Sequence, residues 1–365
     1  MVFIEGVKIE WFRGIKEASI DGLTDVNVLL GSNGVGKSSI LEAIYLVSAW
    51  FDNRDLIRGT NKTDYIVYRR TGRGNWSKLK TLLWYKMDTT RDITITLMSG
   101  EEKLEYKIPY NYSSQPPVLL KPFKQVLDEL PGLKGMYITS LGKGIYNPYT
   151  TMSERLEPNF SASIFSTINK YSGFLKDTLF IDPLFLRTPL YLERFIWSKL
   201  LSKRLDKRVV GFIREYYESD AEGLTYAPLG GTYILFLNLS DTTIAIDSLG
   251  DGVRSAIALL SALLIVRNTV VLLEDPEIHQ HPHGLGFISK AIAGMSRENN
   301  LQFIISTQSL EFVRILSRVC SEEGIGFRVF FIERSNGVVE ARVLESVDIN
   351  TLRSLGIDPR FLDVF

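Results

Sequence analysis

A glycine-rich octapeptide carries the most specific chemistry in the sequence. Residues 31–38 read Gly-Ser-Asn-Gly-Val-Gly-Lys-Ser and satisfy the spacing G-x4-G-K-[ST], between the apolar run VNVLL and a helical pattern. Glycines let backbone N–H groups turn inward, and the following helix directs its positive end at the same point. The Lys37 amine reaches outer phosphates, and the Ser38 hydroxyl can ligate Mg²⁺. The loop therefore predicts a site for a nucleoside triphosphate with Mg²⁺.

Polar residues end two apolar runs that should lie beside this loop. The run VVLL ends in Glu274-Asp275-Pro276-Glu277, and the run QFIIS ends in Thr307-Gln308. In an open α/β sheet, ligands sit beyond the carboxyl ends of the strands. Paired carboxylates there suit one group for Mg²⁺ or its water shell and one for orienting an attacking water.

A third candidate element is a helix start with two glycines. The segment Leu249 to Arg254 places Gly250 and Gly252 at the beginning of a long apolar helical pattern. Open N–H groups at such a start can bind an anion. On its own the pattern is weak, since most glycine-flanked helix starts are only caps.

The elements that must position these residues can be read from the hydrophobic pattern. VFIEGVKIEWF, KEASIDGL and VNVLL predict three strands before the loop, and LKTLLWYKM, DITITLMSG and KLEYKIPY predict a meander over 79–110. Apolar residues three and four apart predict mainly helix over 151–218. Strands then follow at TYILFLNL and TTIAID, a helix at 252–267, the strand VVLL, a helix near 284–298, the strand QFIIS, a helix at 309–322 and a closing strand pair.

Composition limits the class of protein. The chain has 365 residues, 45% of them apolar, so it can bury a large core. Lys plus Arg and Asp plus Glu both total 42, so affinity for nucleic acid must come from local patches. The single Cys320 excludes a disulfide framework. The chain start lacks a leader pattern and the longest apolar stretch, around 256–266, is too short for a bilayer, which predicts a cytoplasmic protein without membrane contact.

The order of elements predicts an α/β fold, a P-loop NTPase core interrupted by an insertion. We expect a nucleotide-binding head formed by 1–50 and 230–365, with the phosphate loop in its first part and the carboxylates in its second. Residues 51–150 are expected to form a β-rich part of the N-terminal lobe. Residues 151–229 are expected to form an inserted, mainly helical region.

Five ordered segments resemble the ABC-type ATPase heads of the RecF, SMC, Rad50 and OLD class, in particular archaeal and bacterial AAA-type ATPases with an OLD-like head. They are IEWFRGIKEASI before the loop, GSNGVGKSSILEAI as Walker A, LGDGVRSAIALLSAL as signature helix, VVLLEDPEIHQHP as Walker B with the D-loop, and IISTQS as switch loop. The resemblance covers about 1–50 and 230–365. It implies an ABC-ATPase-like head that binds ATP and Mg²⁺.

The resemblance also implies roles for individual residues. Nucleotide contacts fall on Arg13, on the adenine or ribose side, and on the loop residues Ser32, Asn33, Gly34, Val35, Gly36, Lys37, Ser38 and Ser39. Ser38 and Glu274 would serve the metal, Asp275 would be the general base, and Gln308 would stand in the switch loop. Gly250, Asp251 and Gly252 would contact the γ-phosphate held by a second head, which implies a homodimer joined through ATP.

Three departures from the family pattern favour slow hydrolysis. Glu274-Asp275 stands where the family usually has Asp-Glu, so the base carboxylate is one methylene shorter. Gly250 replaces a usual serine in the signature, and Gln308 replaces a usual histidine. We expect secure ATP binding and slow turnover.

Two functions stay open at this point. One is an ATPase whose ATP-sandwiched dimer acts in DNA repair, maintenance or defence with a nuclease or effector partner protein. The alternative is an ATP-dependent switch or scaffold with negligible hydrolysis and no direct DNA contact. Two basic stretches are candidates for DNA: one runs from Tyr68 to Lys80 with interleaved aromatics, and the other is a stripe of Lys199, Lys203 and Lys207 with Arg204 and Arg208 beside it.

Overall fold

One large sheet organises the chain. A computed structural model describes residues 2–108, 110, 170–344 and three two-residue strands within 137–154. Ten strands form the sheet in the order β5-β4-β1-β2-β16-β15-β3-β14-β13-β9. Their bounds are β1 Gly6–Phe12, β2 Ile15–Asp21, β3 Val26–Leu30, β4 Ile93–Ser99, β5 Glu102–Ile108, β9 Leu179–Ile181, β13 Thr269–Glu274, β14 Leu301–Thr307, β15 Phe327–Ser335 and β16 Val338–Leu344.

The sheet is mixed, and its parallel part carries the phosphate loop. Strand β3 runs parallel to its neighbours β15 and β14, and β13 runs parallel to β14 and β9. The β1-β2, β1-β4, β4-β5 and β15-β16 pairs are antiparallel. The carboxyl ends of β3, β13 and β14 therefore meet at one edge, where the sequence places its polar residues.

Smaller elements surround this sheet. A three-stranded sheet contains β10 Ala221–Leu229, β11 Thr232–Leu239 and β12 Thr243–Ala245, and another contains β6 Tyr137–Ile138, β7 Ile145–Tyr146 and β8 Ser153–Glu154. The helices are α1 Lys37–Phe51, α2 Lys62–Thr71, α3 Trp76–Leu79, α4 Pro183–Leu186, α5 Pro189–Tyr191, α6 Trp197–Ser202, α7 Asp206–Tyr216, α8 Asp251–Leu264, α9 Pro282–Glu298 and α10 Leu310–Glu322. A π-helical turn, Leu192–Ile196, joins α5 to α6.

The central strands are buried on both faces, so they read as continuous apolar runs. Successive residues of β3 alternate between two cores: Val28 packs with α8, α9 and α10 on one face, and Leu29 packs with α1 on the other. Strand β13 alternates in the same way, with Val271 on the first face and Leu272 on the second. This two-sided packing fixes the directions in which the strand ends point.

Most predicted elements of the head are confirmed. The three strands before the loop are β1, β2 and β3, and the predicted strands VVLL and QFIIS are β13 and β14. The helix predicted at 252–267 is α8, and those predicted near 284–298 and 309–322 are α9 and α10. The closing pair is the β15-β16 hairpin.

One predicted strand of the meander over 79–110 is wrong. The segment LKTLLWYKM contains two 3₁₀ turns, Lys80–Leu83 and Tyr85–Met87, and only the following two segments form the strands β4 and β5. Lys86 and Met87 both have positive φ, which turns the chain sharply. Trp84 is buried by this turn, so its apolar character reflects burial in a loop.

The region expected to be mainly helical also contains strands. Residues 170–175 and α4 to α7 are helical, but β9 interrupts them and joins the edge of the large sheet. Strand β10 begins at Ala221, inside the predicted insertion, and pairs with β11. Apart from β8, the part of the prediction over 151–169 lies outside the described residues. The domain boundaries themselves stay a prediction.

The helices are short or carry polar residues. In the described ranges, none combines the length and the apolar character that crossing a bilayer requires.

Candidate active site

Glycine is required at two positions of the phosphate loop. Gly31 follows β3 with φ of 153°, and a Cβ there would lie 2.4 Å from the carbonyl oxygen of Ile332. Gly36 caps α1 in a left-handed conformation with φ of 116°. Side chains adopt neither geometry readily, so these glycines fix the tight path from strand to helix.

Lys37, the first residue of α1, folds back over the loop. Its Nζ donates hydrogen bonds to the carbonyl oxygens of Gly31 at 2.7 Å and Ser32 at 2.8 Å. Burial lowers the pKa of Lys37, while Asp275 acts in the opposite direction. Among the residues that the structure describes, the ammonium group thus has only backbone carbonyls as hydrogen-bond partners. A phosphate oxygen is a stronger acceptor for it.

A cavity of about 240 Å³ lies over the loop. Six of the predicted nucleotide-binding residues line it: Asn33, Gly34, Gly36, Lys37, Ser38 and Ser39. Asp275 and Gln308, from the ends of β13 and β14, line it as well. The fold therefore brings together the loop and two of the three residues that were predicted to be catalytic.

The two adjacent carboxylates face different surroundings. Asp275 lines the cavity, and its backbone N–H donates to the carbonyl oxygen of Ser306 at 2.9 Å. Burial raises the pKa of Asp275, and Lys37 opposes that rise. Glu274 turns inward, where it accepts a hydrogen bond from the Ser38 hydroxyl and forms an ion pair with Arg69. Burial also raises the pKa of Glu274, with Arg69 opposing it.

A third carboxylate, Glu277, supports the switch loop. Its Oε1 accepts a hydrogen bond from the Thr307 hydroxyl, and its Oε2 is buried and has no hydrogen-bond partner in the described chain. Gln308 Nε2 donates to the Asn33 side-chain oxygen at 2.6 Å. The end of β14 is thereby connected both to the D-loop side and to the phosphate loop.

Arg13 lies apart from the cavity. Its Nε donates to Glu42 Oε2 at 3.0 Å and its Nη2 donates to the Ile66 carbonyl oxygen at 2.6 Å. The guanidinium is thus held inside the protein by a carboxylate of α1, and the neighbouring Gly14 lines the cavity instead. Arg13 does not line this cavity, and its contact with the nucleotide stays a prediction. Ser32 and Val35 also do not line the cavity, although the Ser32 carbonyl contacts Lys37.

The glycine-flanked helix start is separate from the cavity, as the resemblance implies. Gly250 is the N-cap of α8 and Asp251 is its first residue. A Cβ on Gly250 would have no neighbour within 4 Å, whereas one on Gly252 would lie 2.9 Å from the His279 carbonyl oxygen. Gly250 therefore presents open backbone at the surface of the head.

Three arginines near the site were not predicted to belong to it. Arg70 and Arg334 line the cavity, and Arg69 contacts Glu274. Arg69 and Arg70 belong to a stretch that the sequence suggested for DNA. No local pattern distinguishes these two arginines, because the carboxylates that they bind lie far away in the sequence. Arg334 comes from β15, which lies next to β3 in the sheet.

The residues present fit ATP and Mg²⁺ chemically. Positive-φ glycines shape the loop, Lys37 supplies a cation, and the helix α1 begins at the loop. The hydroxyl of Ser38 and the carboxylate of Glu274 are in contact, and oxygen ligands of this kind suit Mg²⁺.

Comparisons with known proteins agree with this geometry. A family model described as AAA ATPase domain matches residues 3–114, and one described as AAA domain, putative AbiEii toxin, Type IV TA system matches 146–314. The DNA replication and repair protein RecF of Oenococcus oeni is 39% identical over 54 residues, which cover 15% of this chain and 14% of RecF. An SMC head bound to the C-winged helix domain of ScpA shares the fold with a TM-score of 0.51 and 11% identity, over 95% of this chain and 99% of that one.

The chain has the fold of an ABC-type ATPase head and is similar to proteins of the RecF and SMC class. The head is also similar along most of its length to an ATP/GTP phosphatase of Helicobacter pylori. The two are 21% identical over 343 residues, which cover 88% of the head and 89% of the relative. The fold class predicted from the sequence, a P-loop NTPase with an ABC-ATPase-like head, is confirmed.

Proposed function

We propose that the head binds ATP with Mg²⁺ on the loop 31–38 and hydrolyses it slowly. The observation that carries the proposal is the cavity over the loop, which Lys37 and Asp275 both line. A cation that binds the phosphate oxygens and a polar side chain that orients the attacking water are recurring parts of sites for phosphoryl transfer to water.

Each residue of the site has its own proposed role in ATP binding or hydrolysis. Lys37 exchanges its two carbonyl partners for oxygens of the outer phosphates, and the loop N–H groups hold the rest of the phosphate chain. Asp275 accepts the proton of the attacking water, while Gln308 donates a hydrogen bond that orients it. Ser38 and Glu274 would hold Mg²⁺, which when bound polarises the phosphate oxygens.

Slow hydrolysis follows from the shorter base and from the incomplete site. Asp275 reaches one methylene less far into the cavity than a glutamate would. Within one chain, the α8 start with Gly250, Asp251 and Gly252 does not line the cavity, so the γ-phosphate lacks that contact until a second head supplies it. If hydrolysis is negligible, the same site serves an ATP-dependent switch.

A dimer of two heads is the second part of the proposal. Each loop would be covered by the α8 start of the other head, with two ATP molecules between them, and such an isologous contact closes on itself. The open backbone at Gly250 supports this arrangement.

The biological setting that we propose is DNA repair, maintenance or defence, together with a nuclease or effector partner. One relative is named for DNA replication and repair, and one matching family model is described as a putative toxin. Direct DNA contact is a separate proposal, and the structure limits where it could occur. Arg69 and Trp76 of the first basic stretch are buried. Lys203 follows the last residue of α6, so the predicted lysine stripe is divided between α6 and α7.

Phosphate release by the wild-type head and by Lys37→Ala tests the first proposal. We expect slow, Mg²⁺-dependent release from the wild type, and loss of both release and ATP binding in the variant with an unchanged circular dichroism spectrum. ATP affinity that stays unchanged in Lys37→Ala, measured by calorimetry, would refute nucleotide binding at this loop.

A further inference from the structure

A buried cluster of ion pairs lies behind the phosphate loop. Four arginines and four carboxylates take part in it: Arg13, Arg58, Arg69, Arg70, Glu42, Asp55, Asp182 and Glu274. All but Arg70 have side chains no more than 10% exposed. The sequence suggested Arg69 and Arg70 as DNA contacts, a role that burial excludes for Arg69.

Arg69 is the member of the cluster that contacts Glu274. Each of its three guanidinium nitrogens binds a different carboxylate: Nε binds Asp182 at 3.1 Å, Nη1 binds Glu42, and Nη2 binds Glu274 Oε2. The Phe180 ring stacks on the guanidinium at 4.6 Å from its centroid. The side chain is therefore fixed on all sides, by residues of α1, the end of β9 and the end of β13.

Glu274 lies between Arg69 and the cavity. One neighbour of its carboxylate is Arg69, and another is the hydroxyl of Ser38, which lines the cavity. A carboxylate that is held at one oxygen by a rigid cation can present its other oxygen in one direction only. Partners behind a metal ligand commonly orient the ligand in this manner.

We propose that Arg69 is a positioning residue that fixes the Glu274 carboxylate against Ser38, in the orientation that receives Mg²⁺. The inference rests on the proposed ATP and Mg²⁺ site, and it adds a residue outside the motifs of the head. Nothing in α2 contacts the metal directly under this account.

The direction of the change in Mg²⁺ affinity distinguishes a positioning role of Arg69 from a purely electrostatic effect of its charge. A cation beside Glu274 repels Mg²⁺, so charge alone predicts that removing Arg69 tightens metal binding. Positioning predicts the reverse, because a freed carboxylate loses its orientation. Lysine keeps the charge but supplies a single point donor in place of the planar fork, so Arg69→Lys isolates geometry from charge.

The experiment measures Mn²⁺ binding by electron paramagnetic resonance in the presence of saturating ATP, for the wild type and three variants. We expect Arg69→Lys to weaken Mn²⁺ affinity by about 10- to 100-fold, with ATP affinity in EDTA unchanged. The matched control is Arg58→Lys, which alters the same cluster through Asp55 and Asp182 without contact to Glu274. We expect it to leave Mn²⁺ affinity unchanged.

The third variant, Ser38→Ala, separates failure of this inference from failure of the proposed function. If Ser38→Ala leaves Mn²⁺ affinity unchanged, the metal site itself is wrong. If Ser38→Ala weakens it and Arg69→Lys does not, or tightens it, the positioning role is overturned while the metal site stands. Equal losses in Arg69→Lys and Arg58→Lys would also overturn positioning, since they would reflect the cluster as a whole.

A further variant covers the case in which Arg69→Lys does not fold. Asp182→Asn loosens Arg69 at Nε, a nitrogen that does not bind Glu274. We expect a smaller loss of Mn²⁺ affinity, with Ser38→Ala as the reference. Unchanged Mn²⁺ affinity in folded Asp182→Asn would then overturn the proposal.

Discussion

At the scale of single residues, Asp275 and Glu277 are the two carboxylates that compete for the role of base. Asp275 lines the cavity, whereas Glu277 is bound to the Thr307 hydroxyl and the Gln308 backbone. In the proposed mechanism the first of them, Asp275, receives a proton from water at the phosphate. The second is placed to hold the switch loop.

We therefore expect Asp275→Asn to lower the rate of phosphate release by at least about 100-fold while leaving ATP affinity within a factor of about three, since it removes an interaction made mainly in the transition state. Single-turnover hydrolysis and calorimetry measure the two quantities. Glu277→Gln is the matched control and should retain more activity than Asp275→Asn. The reverse ranking of the two variants would assign the base to Glu277.

Lys62 gives a prediction about stability. The residue is fully buried at the start of α2, where its Nζ donates to the Lys176 carbonyl oxygen at 2.7 Å. Burial lowers the pKa of Lys62 from 10.5 to about 8, with Asp55 opposing the change. Between these two values the unfolded chain binds the proton and the folded chain does not, so stability rises with pH in this window.

The rise that Lys62 contributes between pH 8 and 10.5 amounts to about 3 kcal/mol, from the pKa difference. Chemical denaturation across this pH range measures it, as the difference between wild type and Lys62→Met. Lys78→Met, at an exposed lysine, serves as control and should run parallel to the wild type. A Lys62→Met curve parallel to the wild type would contradict the prediction.

The sequence predicted some residues of the site far better than others. The loop 31–38 could be read because its spacing alone fixes the chemistry, and Asp275 because it ends an apolar strand. Arg69 could not be read in the same way. Its partners are at positions 42, 182 and 274, and only the folded chain brings them together.

At the scale of elements, the hydrophobic periodicity correctly predicted most of the strands and helices that pack in the large sheet or against it. Strand β13 and helices α8, α9 and α10 have long apolar runs buried on the sheet, so their patterns were clear. The 3₁₀ turns near Trp84 gave a misleading pattern because a buried loop is also apolar. Strand β10 was missed because its residues are mostly exposed, which leaves little alternation to detect.

The broken lysine stripe changes the expectation for DNA. Lys203 and Lys207 are exposed but lie on either side of the turn between α6 and α7, and Lys199 is partly buried with Nζ donating to the Leu56 carbonyl oxygen. We expect weak binding, independent of sequence, that falls steeply with salt because Lys contacts to phosphate release counterions.

Fluorescence anisotropy with a labelled duplex at several salt concentrations tests this expectation. Replacing Lys203 and Lys207 together by Glu should weaken DNA binding. The slope of the logarithm of the binding constant against the logarithm of the salt concentration should fall in magnitude by about one for each lost phosphate contact. Lys103→Glu, at an exposed lysine of β5, is the control and should behave like the wild type. Absence of any complex at low salt would remove direct DNA binding from the account.

At the scale of the whole molecule, the proposed mechanism requires two heads for a complete site. The phosphate loop and the α8 start belong to the same chain, yet the α8 start does not line the cavity. ATP bound between two heads touches both, so it favours the closed dimer by as much as its extra affinity for that state. A variant that lacks the proposed catalytic base, such as Asp275→Asn, should bind ATP without hydrolysing it and should therefore accumulate as the dimer.

The surroundings of the two glycines at the start of α8 determine which substitution can test the dimer without disturbing the fold of one chain. A bulky residue at Gly252 would collide with the His279 carbonyl oxygen of its own chain. Gly250 has φ of −60° and no neighbour within 4 Å of a Cβ, so Gly250→Trp is compatible with the folded monomer. Gly211→Trp, at another exposed glycine with no Cβ neighbour, is the matched control.

Light scattering of Asp275→Asn with and without Mg²⁺-ATP tests the central claim most directly. We predict a mass that rises on addition of Mg²⁺-ATP to about twice the 41.4 kDa of one chain. The rise should be lost when Gly250→Trp is added and kept when Gly211→Trp is added. A mass that ATP leaves unchanged at saturating occupancy, or a Gly250→Trp variant that dimerises like its parent, would contradict the account.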